Sequence, residues 1–162
     1  MKILIDISKQ KLFIKTPNDK IIAEYIISTA LNGPGEKNGS NQTPRGRHII
    51  SEKIGSDLPI FTVFSSRKPT GEIWSLNLEK KFPNHDWILS RILWLSGTED
   101  GINCGGDVDT KLRYIYIHGT HDEKNIGTPN SHGCIRMKNA DVIDLFDRVN
   151  VGDNVYINSN SS

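Results

Sequence analysis

Residues 113–137 of this sequence, RYIYIHGTHDEKNIGTPNSHGCIRM, decide how the rest of it is interpreted. The aromatic and β-branched content of residues 113–118 predicts a strand that ends at His118. The residues that follow include glycine, proline and asparagine, and they predict a loop that leads to Cys134. Three of the five histidines and one of the two cysteines of the chain fall within this segment. Such clustering requires an explanation, and three are available.

The first explanation is structural, and the second is a metal site. A free cysteine is commonly a small buried residue, but the polar, glycine-rich surroundings of Cys134 argue against simple core filling. His118, His121, His132 and Cys134 offer the donor atoms of a tetrahedral zinc site. However, a turn separates His118 from His121, and the spacing matches no strong zinc signature. We therefore predict no metal and no cofactor.

The third explanation, nucleophilic catalysis, is the one that the segment favours. A thiol with an ordinary pKa of about 8.5 is mostly protonated at neutral pH. It needs an imidazole that takes its proton and later donates it to a leaving amine. A strand ending at His118 and a loop presenting Cys134 can bring these groups together. Gly133 lets the backbone bend sharply and expose main-chain N–H groups, which are the donors that a tetrahedral oxyanion requires.

The segment IHGT…SHGCIRM resembles the signature of the L,D-transpeptidase (YkuD-like) family, in which a His-Gly or His-Ser pair precedes Ser/Thr-His-Gly-Cys. Further out, residues 3–14 (ILIDISKQKLFI) resemble the opening hairpin of that family, and residues 43–50 (TPRGRHII) resemble its Thr-Pro-x-Gly motif. Residues 65–110 match weakly. The resemblance implies a mainly β, β-sandwich-like catalytic domain over residues 1–158, followed by a frayed tail at residues 159–162.

The family's reaction assigns roles to residues of the segment. The resemblance implies cleavage of a peptidoglycan tetrapeptide stem before its terminal D-alanine, with Cys134 as nucleophile and His118 as base. The acyl group then passes to an amine of a neighbouring stem and forms a cross-link. The Gly119 carbonyl would hold the His118 imidazole in its useful tautomer. Ser131 and His132 would line the site.

Two further roles follow from the resemblance. The main-chain N–H groups of Gly133 and Cys134 are the candidate oxyanion donors. Arg136 occupies a position where the family carries Arg or Asn, and we expect its guanidinium to meet a substrate carboxylate. The remaining candidates are interpreted as ordinary residues without a role in the site, namely His48, His85, Cys104 and His121.

Hydrophobic periodicity predicts the same fold class. Apolar runs indicate strands at residues 3–7, 12–14, 21–27, 48–54, 59–64 and 155–157. Residues 87–95 fit a buried strand or a helix, and we favour the strand. Val142, Leu145, Phe146 and Val149 recur at helical spacing, so one helix is predicted over residues 139–149, with Asn139 as its N-cap.

Composition excludes several other classes of function. Hydrophobic residues make up 36% and charged residues 24% of the 162-residue chain, as in a globular domain of ordinary size. The net charge of +1 gives no long-range field that would attract nucleic acid. No apolar run approaches the roughly 18 residues that a membrane span needs. We therefore expect no nucleic-acid partner and no membrane span. The resemblance implies peptidoglycan stem peptides as the binding partner, and we expect a monomer.

The location and the cysteines leave questions open. No signal peptide is visible at the start of the sequence, whereas the implied substrate lies in the cell envelope. The envelope is favoured by this chemistry, and the cytoplasm is not excluded. Cys104 and Cys134 are too few for a disulfide framework, and a bridge between them would inactivate the nucleophile.

Three alternatives compete with a transpeptidase. A hydrolase of the L,D-carboxypeptidase or amidase type would use the same Cys-His site and release the acyl group to water. A non-catalytic module would bind peptidoglycan without cleaving it. A zinc-binding structural protein is the third alternative. The motifs alone do not separate the transpeptidase from the hydrolase, because the acceptor decides between them.

Overall fold

Residues 1–159 are described by a computed structural model, so residues 160–162 of the predicted tail lie outside the described residues. The described chain contains ten strands and two helices. The strands are β1 (Lys2–Asp6), β2 (Lys11–Lys15), β3 (Ile21–Ser28), β4 (Gly46–Ile54), β5 (Thr62–Ser65), β6 (Lys68–Ile73), β7 (Ile88–Gly97), β8 (Tyr116–Gly119), β9 (Ile135–Met137) and β10 (Asn154–Asn158). The helices are α1 (Leu76–Lys81) and α2 (Asn139–Arg148). Neither helix has the length and apolar content needed to cross a bilayer.

The strands form one sheet that closes on itself. Its order is β4-β10-β1-β2-β3-β9-β8-β7, and a further pairing between β4 and β7 joins the two ends. The β5–β6 hairpin continues from β7 outside this ring, because β5 also pairs with β7. The fold is therefore mostly β, as predicted, and the sheet is closed like a barrel.

Alternating apolar residues build the main core. Ile3 and Ile5 of β1 face Ile14 and Leu12 of β2 in antiparallel register, and all four side chains are buried. Because side chains alternate between the two faces of a strand, these residues share one face of the sheet. Helix α2 adds its apolar side to the same cluster through Val142, Leu145 and Phe146.

Several sequence predictions are confirmed. The strands predicted in the first third of the chain are present as β1 to β4. Residues 87–95 fall mainly in strand β7, as favoured, and the last strand is β10. The helix predicted over residues 139–149 is α2. The sequence left open whether the two cysteines are bridged; Cys104 and Cys134 are free thiols.

Other predictions are wrong in detail. The strand predicted from residue 113 begins only at Tyr116, because Tyr114 has a φ of 57° in a turn. Asn139 is not the N-cap of α2; Lys138 holds that position without a side-chain cap. The amide of Asn139 instead donates to the Thr120 carbonyl and accepts from the Ser90 hydroxyl. A second helix, α1, lies in the region that matched weakly.

Strands β8 and β9 divide their side chains between two layers. They run parallel, with Ile117 opposite Ile135 and His118 opposite Arg136. The two isoleucines belong to the main core. By alternation, His118 and Arg136 therefore lie on the opposite face of the sheet. The β5–β6 hairpin and the segment that contains α1 are joined to this part of the sheet through β5 and β7.

Candidate active site

Cys134 lies directly before β9, next to the start of β8. Its sulfur accepts a hydrogen bond from the Tyr116 N–H, with a nitrogen–sulfur distance of 3.3 Å. The same sulfur lies 3.4 Å from the Tyr114 carbonyl oxygen, which can only accept, so the thiol donates its hydrogen there. Cys134 precedes Arg136 by two residues, as Tyr116 precedes His118. Alternation along β8 places Tyr116 and His118 on one face, and Cys134 packs in the same cluster as Tyr116, so the thiol and the imidazole share that face.

The imidazole of His118 is buried and has a defined tautomer. Only 1% of the residue is exposed. Its Nδ1 lies 2.7 Å from the Gly119 carbonyl oxygen, and a carbonyl can only accept, so Nδ1 carries the hydrogen. The lone pair is then on Nε2. Burial lowers the pKa of His118, although Asp86 opposes this shift, so the neutral ring is the resting form.

Burial has the opposite effect on the acidity of the thiol. It raises the pKa of Cys134 to about 12, and the hydrogen bond from Tyr116 offsets this only in part. The resting site therefore contains a protonated thiol beside a neutral imidazole. A nucleophilic thiolate can form here only if a base removes the proton as the reaction proceeds.

The turn over residues 131–134, which presents Cys134, is stabilised by hydrogen bonds of its first residue, Ser131. Ser131 is buried, and its hydroxyl donates to the Cys134 carbonyl at 2.6 Å. The same hydroxyl accepts from the Gly133 N–H at 3.2 Å. Gly133 has a φ of 133°, and a Cβ there would lie 3.1 Å from Ile115 Cδ1. The turn therefore requires glycine at this position.

Thr43 connects the Thr-Pro-x-Gly motif to this turn. Its hydroxyl donates to the Gly133 carbonyl at 2.9 Å and accepts from the Ala30 N–H at 3.0 Å. Arg113 holds the same loop in place, since its guanidinium donates to the carbonyls of Gly35, Glu36 and Gln42. The upstream loop is therefore part of the framework around Cys134.

An acidic residue, Asp86, lies in the segment directly before β7. It accepts from Arg136 Nη2 at 2.7 Å and lies 3.4 Å from His132 Nδ1. Burial tends to raise the pKa of Asp86, but attraction to His118 when that ring is protonated, and the charge and hydrogen bond of Arg136 together with the hydrogen bond of His132, outweigh it and leave the pKa below its ordinary value. A carboxylate is therefore fixed beside the imidazole, and the guanidinium of Arg136 is paired with it.

The structure brings together most of the predicted residues. Ser131, Gly133 and Cys134 form one set of contacts. His118 and Gly119 form another on the neighbouring strand β8, whose Tyr116 N–H donates to the sulfur of Cys134. Their functional roles remain predictions, and the Gly133 N–H is already engaged by Ser131. Arg136 is also present, with Asp86 as its ion-pair partner. His132 is 70% exposed at its side chain and contacts this site only through Asp86.

The histidines and the cysteine that were interpreted as ordinary residues make no hydrogen bond to His118 or Cys134 within residues 1–159. His48 is buried between the Gly46 carbonyl and the Thr110 hydroxyl. His121 Nε2 lies 3.7 Å from Glu79 on α1, and His85 stacks edge-on against Trp87. No group of three His, Cys, Asp or Glu side chains in the described part of the chain is arranged to hold a metal ion.

Sequence reasoning missed two residues of the site. Thr43 was visible in its motif, but nothing in the sequence indicated that its hydroxyl would reach residue 133. Asp86 lies in the region that matched weakly, and its pairing with Arg136 spans fifty positions of sequence. An acidic residue directly before an apolar strand was the only signal available for it.

Comparison with known proteins identifies a matching family model and similar curated proteins. A family model described as the L,D-transpeptidase catalytic domain, YkuD, matches residues 1–157. A probable L,D-transpeptidase, YbiS of Escherichia coli K12, is 46% identical over 112 residues, which cover 64% of this chain and 34% of that protein. A probable dipeptidyl-aminopeptidase B of Metarhizium robertsii is 30% identical over 124 residues, covering 75% of this chain and 13% of that protein.

Solved structures share the fold. The L,D-transpeptidase LdtMt1 in complex with imipenem superposes with a TM-score of 0.56 at 19% identity. The match covers 96% of this chain and 57% of that one. The chain thus spans about a third or less of the two curated relatives and just over half of this structural neighbour.

Proposed function

The chain belongs to the YkuD family of L,D-transpeptidase catalytic domains, and we propose that it cleaves tetrapeptide stems of peptidoglycan through an acyl-enzyme on Cys134. One observation carries the proposal. The Gly119 carbonyl fixes the hydrogen of His118 on Nδ1, which leaves Nε2 as a base on the same face as the thiol of Cys134. Acyl transfer from a thiol requires this combination.

In the first step, His118 Nε2 takes the thiol proton as the sulfur attacks the carbonyl carbon before the terminal D-alanine. A carbon–sulfur bond forms, and the carbonyl oxygen becomes an oxyanion. The imidazolium then returns the proton to the leaving nitrogen, the carbon–nitrogen bond breaks, and D-alanine departs as an amine. A thioester on Cys134 remains.

In the second step, an amine of a neighbouring stem attacks the thioester. His118 accepts a proton from that amine, and the sulfur leaves and regains a proton. The product carries a new peptide bond, so two stems are cross-linked. Water in place of the amine would yield a hydrolase, and the acceptor therefore determines the outcome.

Asp86 and Arg136 adjust the charge of the site during these steps. The imidazolium that forms on His118 has a carboxylate beside it, and Coulomb attraction between them favours proton transfer from the thiol. Arg136 neutralises Asp86 in the resting state and keeps the carboxylate oriented. A substrate carboxylate at Arg136 would have to compete with Asp86.

The oxyanion needs main-chain N–H donors that are not already used in hydrogen bonds within the protein. The N–H of Cys134 is the proposed donor at the attacked carbonyl, in the turn held by Ser131. The Gly133 N–H can join it only after release from the Ser131 hydroxyl. Ser131 and Thr43 hold this turn in place before the substrate binds. This reduces the entropic cost of positioning the N–H donors.

Incubation with a tetrapeptide stem, followed by mass spectrometry of the peptides and of the intact protein, tests the proposed function. We expect loss of D-alanine, a thioester on Cys134 and a cross-linked dimer. A tripeptide without dimer would instead identify a hydrolase. Binding of the stem with no cleavage by the folded protein would reject the enzyme and leave the peptidoglycan-binding module.

We also propose that the protein acts in the cell envelope, where cross-linked stems occur. Fractionation of cells that express the untagged protein from its native gene, beside a cytoplasmic marker, checks this. Recovery with the envelope fraction is expected. Recovery wholly with the cytoplasmic marker, with no cell-wall change on deletion, would point to processing of precursors or recycled fragments.

A further inference from the structure

Three arginines surround Cys134, and two of them are committed to protein partners. Arg113 donates to three carbonyls and to the Ser40 hydroxyl of the upstream loop. Arg136 is paired with Asp86 and is 7% exposed. The third, Arg67, makes no ion pair with any residue from 1 to 159. Among the three, Arg67 is therefore the guanidinium that is free to bind an anion.

Arg67 is held beside the nucleophile by aromatic residues. Its Nη1 donates to the Tyr116 hydroxyl at 3.1 Å, and its guanidinium lies over the rings of Trp94, at 5.0 Å, and Tyr114, at 4.8 Å. The backbone N–H of Tyr116 donates to the sulfur of Cys134. Tyr116 therefore contacts Arg67 through its hydroxyl and the sulfur of Cys134 through its backbone N–H.

The backbone also orients Arg67. Ser66 and Arg67 form the two-residue turn of the β5–β6 hairpin, with φ values of 48° and 65°. A two-residue turn with positive φ at both positions matches the twist of the flanking strands, so the two strands stay paired up to the turn. Phe64, on β5, packs in the same apolar cluster as Tyr116 and Cys134. The hairpin therefore presents Arg67 from a supported position.

A guanidinium has five N–H donors in a planar fork that matches a carboxylate. In Arg67 one of these donors is used by Tyr116, and the nearby rings of Trp94 and Tyr114 hold the group by cation–π contacts without using its other N–H donors. Such an arrangement is pre-organised, since little side-chain freedom is lost when an anion binds.

We propose that Arg67 is a specificity-determining residue that binds a carboxylate of the acyl donor. This inference rests on the proposed function, because the donor is taken to be a peptidoglycan stem. The free carboxylate of the terminal D-alanine lies one residue, about 3.5 Å of chain, beyond the attacked carbonyl. A second carboxylate is available where the third residue of the stem is diaminopimelate. Either one carries the chemistry that Arg67 recognises.

Four synthetic tetrapeptides distinguish the two sources. They carry diaminopimelate or lysine at the third position, and a carboxylate or a carboxamide at the terminus. Rates of thioester formation on Cys134 give kcat/KM for the wild-type protein and for Arg67→Gln. We expect Arg67→Gln to lower kcat/KM roughly 10-fold to 100-fold for peptides with the recognised carboxylate. Peptides that lack this carboxylate should be nearly unaffected, and Arg67→Lys should restore part of the rate.

Lys111→Gln is the matched control, because Lys111 Nζ also lies over the Trp94 ring, at 5.0 Å, without a bond to Tyr116. The Lys111→Gln variant should show the same ratios of kcat/KM among the four peptides as the wild-type protein. Alkylation of Cys134 by neutral iodoacetamide should be the same in all variants. An equal loss on all four peptides, or no loss on any, would overturn the inference while the proposed function stands. If no peptide acylates the wild-type protein, the proposed function itself fails.

Discussion

Two groups at the site, Cys134 and His118, are both uncharged at rest. Burial is the leading cause of each shift: it raises the pKa of the thiol to about 12 and lowers the pKa of the imidazole. A preformed thiolate–imidazolium pair is therefore disfavoured in the free protein. Proton transfer has to accompany attack on the substrate, and Asp86 is placed to favour it by attracting the imidazolium.

Replacement of His118 by alanine should lower the rate of acylation by roughly 10²- to 10⁴-fold, the usual contribution of a positioned general base. The rate of mass increase with imipenem measures this effect. His121→Ala is the matched control, because His121 pairs with Glu79 and has no bond to the thiol. Near-normal acylation in His118→Ala, or an equal loss in His121→Ala, would reject the assignment of the base.

The lowered pKa of His118 also predicts a pH profile. Only the neutral imidazole can accept the thiol proton, so kcat/KM for acylation should be constant from pH 7 to pH 9. It should still exceed half its maximum at about pH 6.5, the ordinary pKa of histidine, and fall to half its maximum only at a lower pH. Stopped-flow acylation with circular dichroism as a folding control gives the profile. A rate that keeps rising between pH 7 and pH 9 would indicate attack by a pre-ionised thiol instead.

Single residues were predictable from the sequence only where a motif carried them. The spacing of His118 and Cys134 pointed to a site, whereas Asp86 and Arg67 come from the region without a motif. Their importance depends on contacts with Arg136 and Tyr116, which lie about fifty positions away in the chain. Such contacts follow from strand pairing, which local sequence does not specify.

At the scale of elements, the turn before β9 is fixed by side-chain hydrogen bonds from two separate parts of the chain. Ser131 closes it from within, and Thr43 holds it from the upstream loop. The loop in turn is fixed by Arg113. Geometry at Cys134 therefore depends on a segment some ninety residues earlier in the chain, which explains why the Thr-Pro-x-Gly motif accompanies the Cys motif.

Gly133→Ala should both destabilise the fold and impair acylation. Its φ of 133° is unfavourable for alanine, and the added Cβ would crowd Ile115 Cδ1 and the Gln42 carbonyl oxygen. We expect a loss of about 2–4 kcal/mol in the free energy of unfolding. Denaturant titration and the imipenem rate, measured where both proteins are folded, check the two effects.

Gly39→Ala is the control for backbone strain alone. Gly39 has a φ of 80°, and a Cβ there meets nothing within 4 Å. Its cost should be about 1–2 kcal/mol, with no change in the acylation rate. Equal behaviour of the two variants would show that the turn is not a special feature of the site.

The elements themselves were largely predictable, and their exceptions have local causes. Alternating apolar residues identified β1 to β3, and helical spacing identified α2. The start of β8 was misplaced because Tyr114, despite its high β propensity, adopts a positive φ in a turn. Asn139 has the composition of an N-cap, but tertiary contacts with Thr120 and Ser90 use its amide.

At the scale of the whole molecule, closure of the sheet is what creates the site. β1 pairs with β10 in parallel, and β4 pairs with β7, so both ends of the chain and its middle belong to one ring. Sequence periodicity predicts the strands but not their partners, because long-range pairing leaves no local signal. The parallel pair β8–β9 inside this ring sets His118 and Cys134 on a common face.

The β5–β6 hairpin lies outside the ring and brings Arg67 to the aromatic side chains next to Cys134. The closed sheet thus carries the proposed nucleophile and its proposed base, and the hairpin carries the residue proposed to select the donor.

Intact-mass spectrometry after exposure to imipenem, followed by peptide mapping, is the most direct measurement of whether Cys134 is the nucleophile. Thiolate attack on the β-lactam carbonyl would leave a thioester. We expect one adduct on the wild-type protein and on Cys104→Ala, mapped to Cys134, and none on a folded Cys134→Ala. An adduct on Cys104, or one that persists in Cys134→Ala, would contradict the assignment.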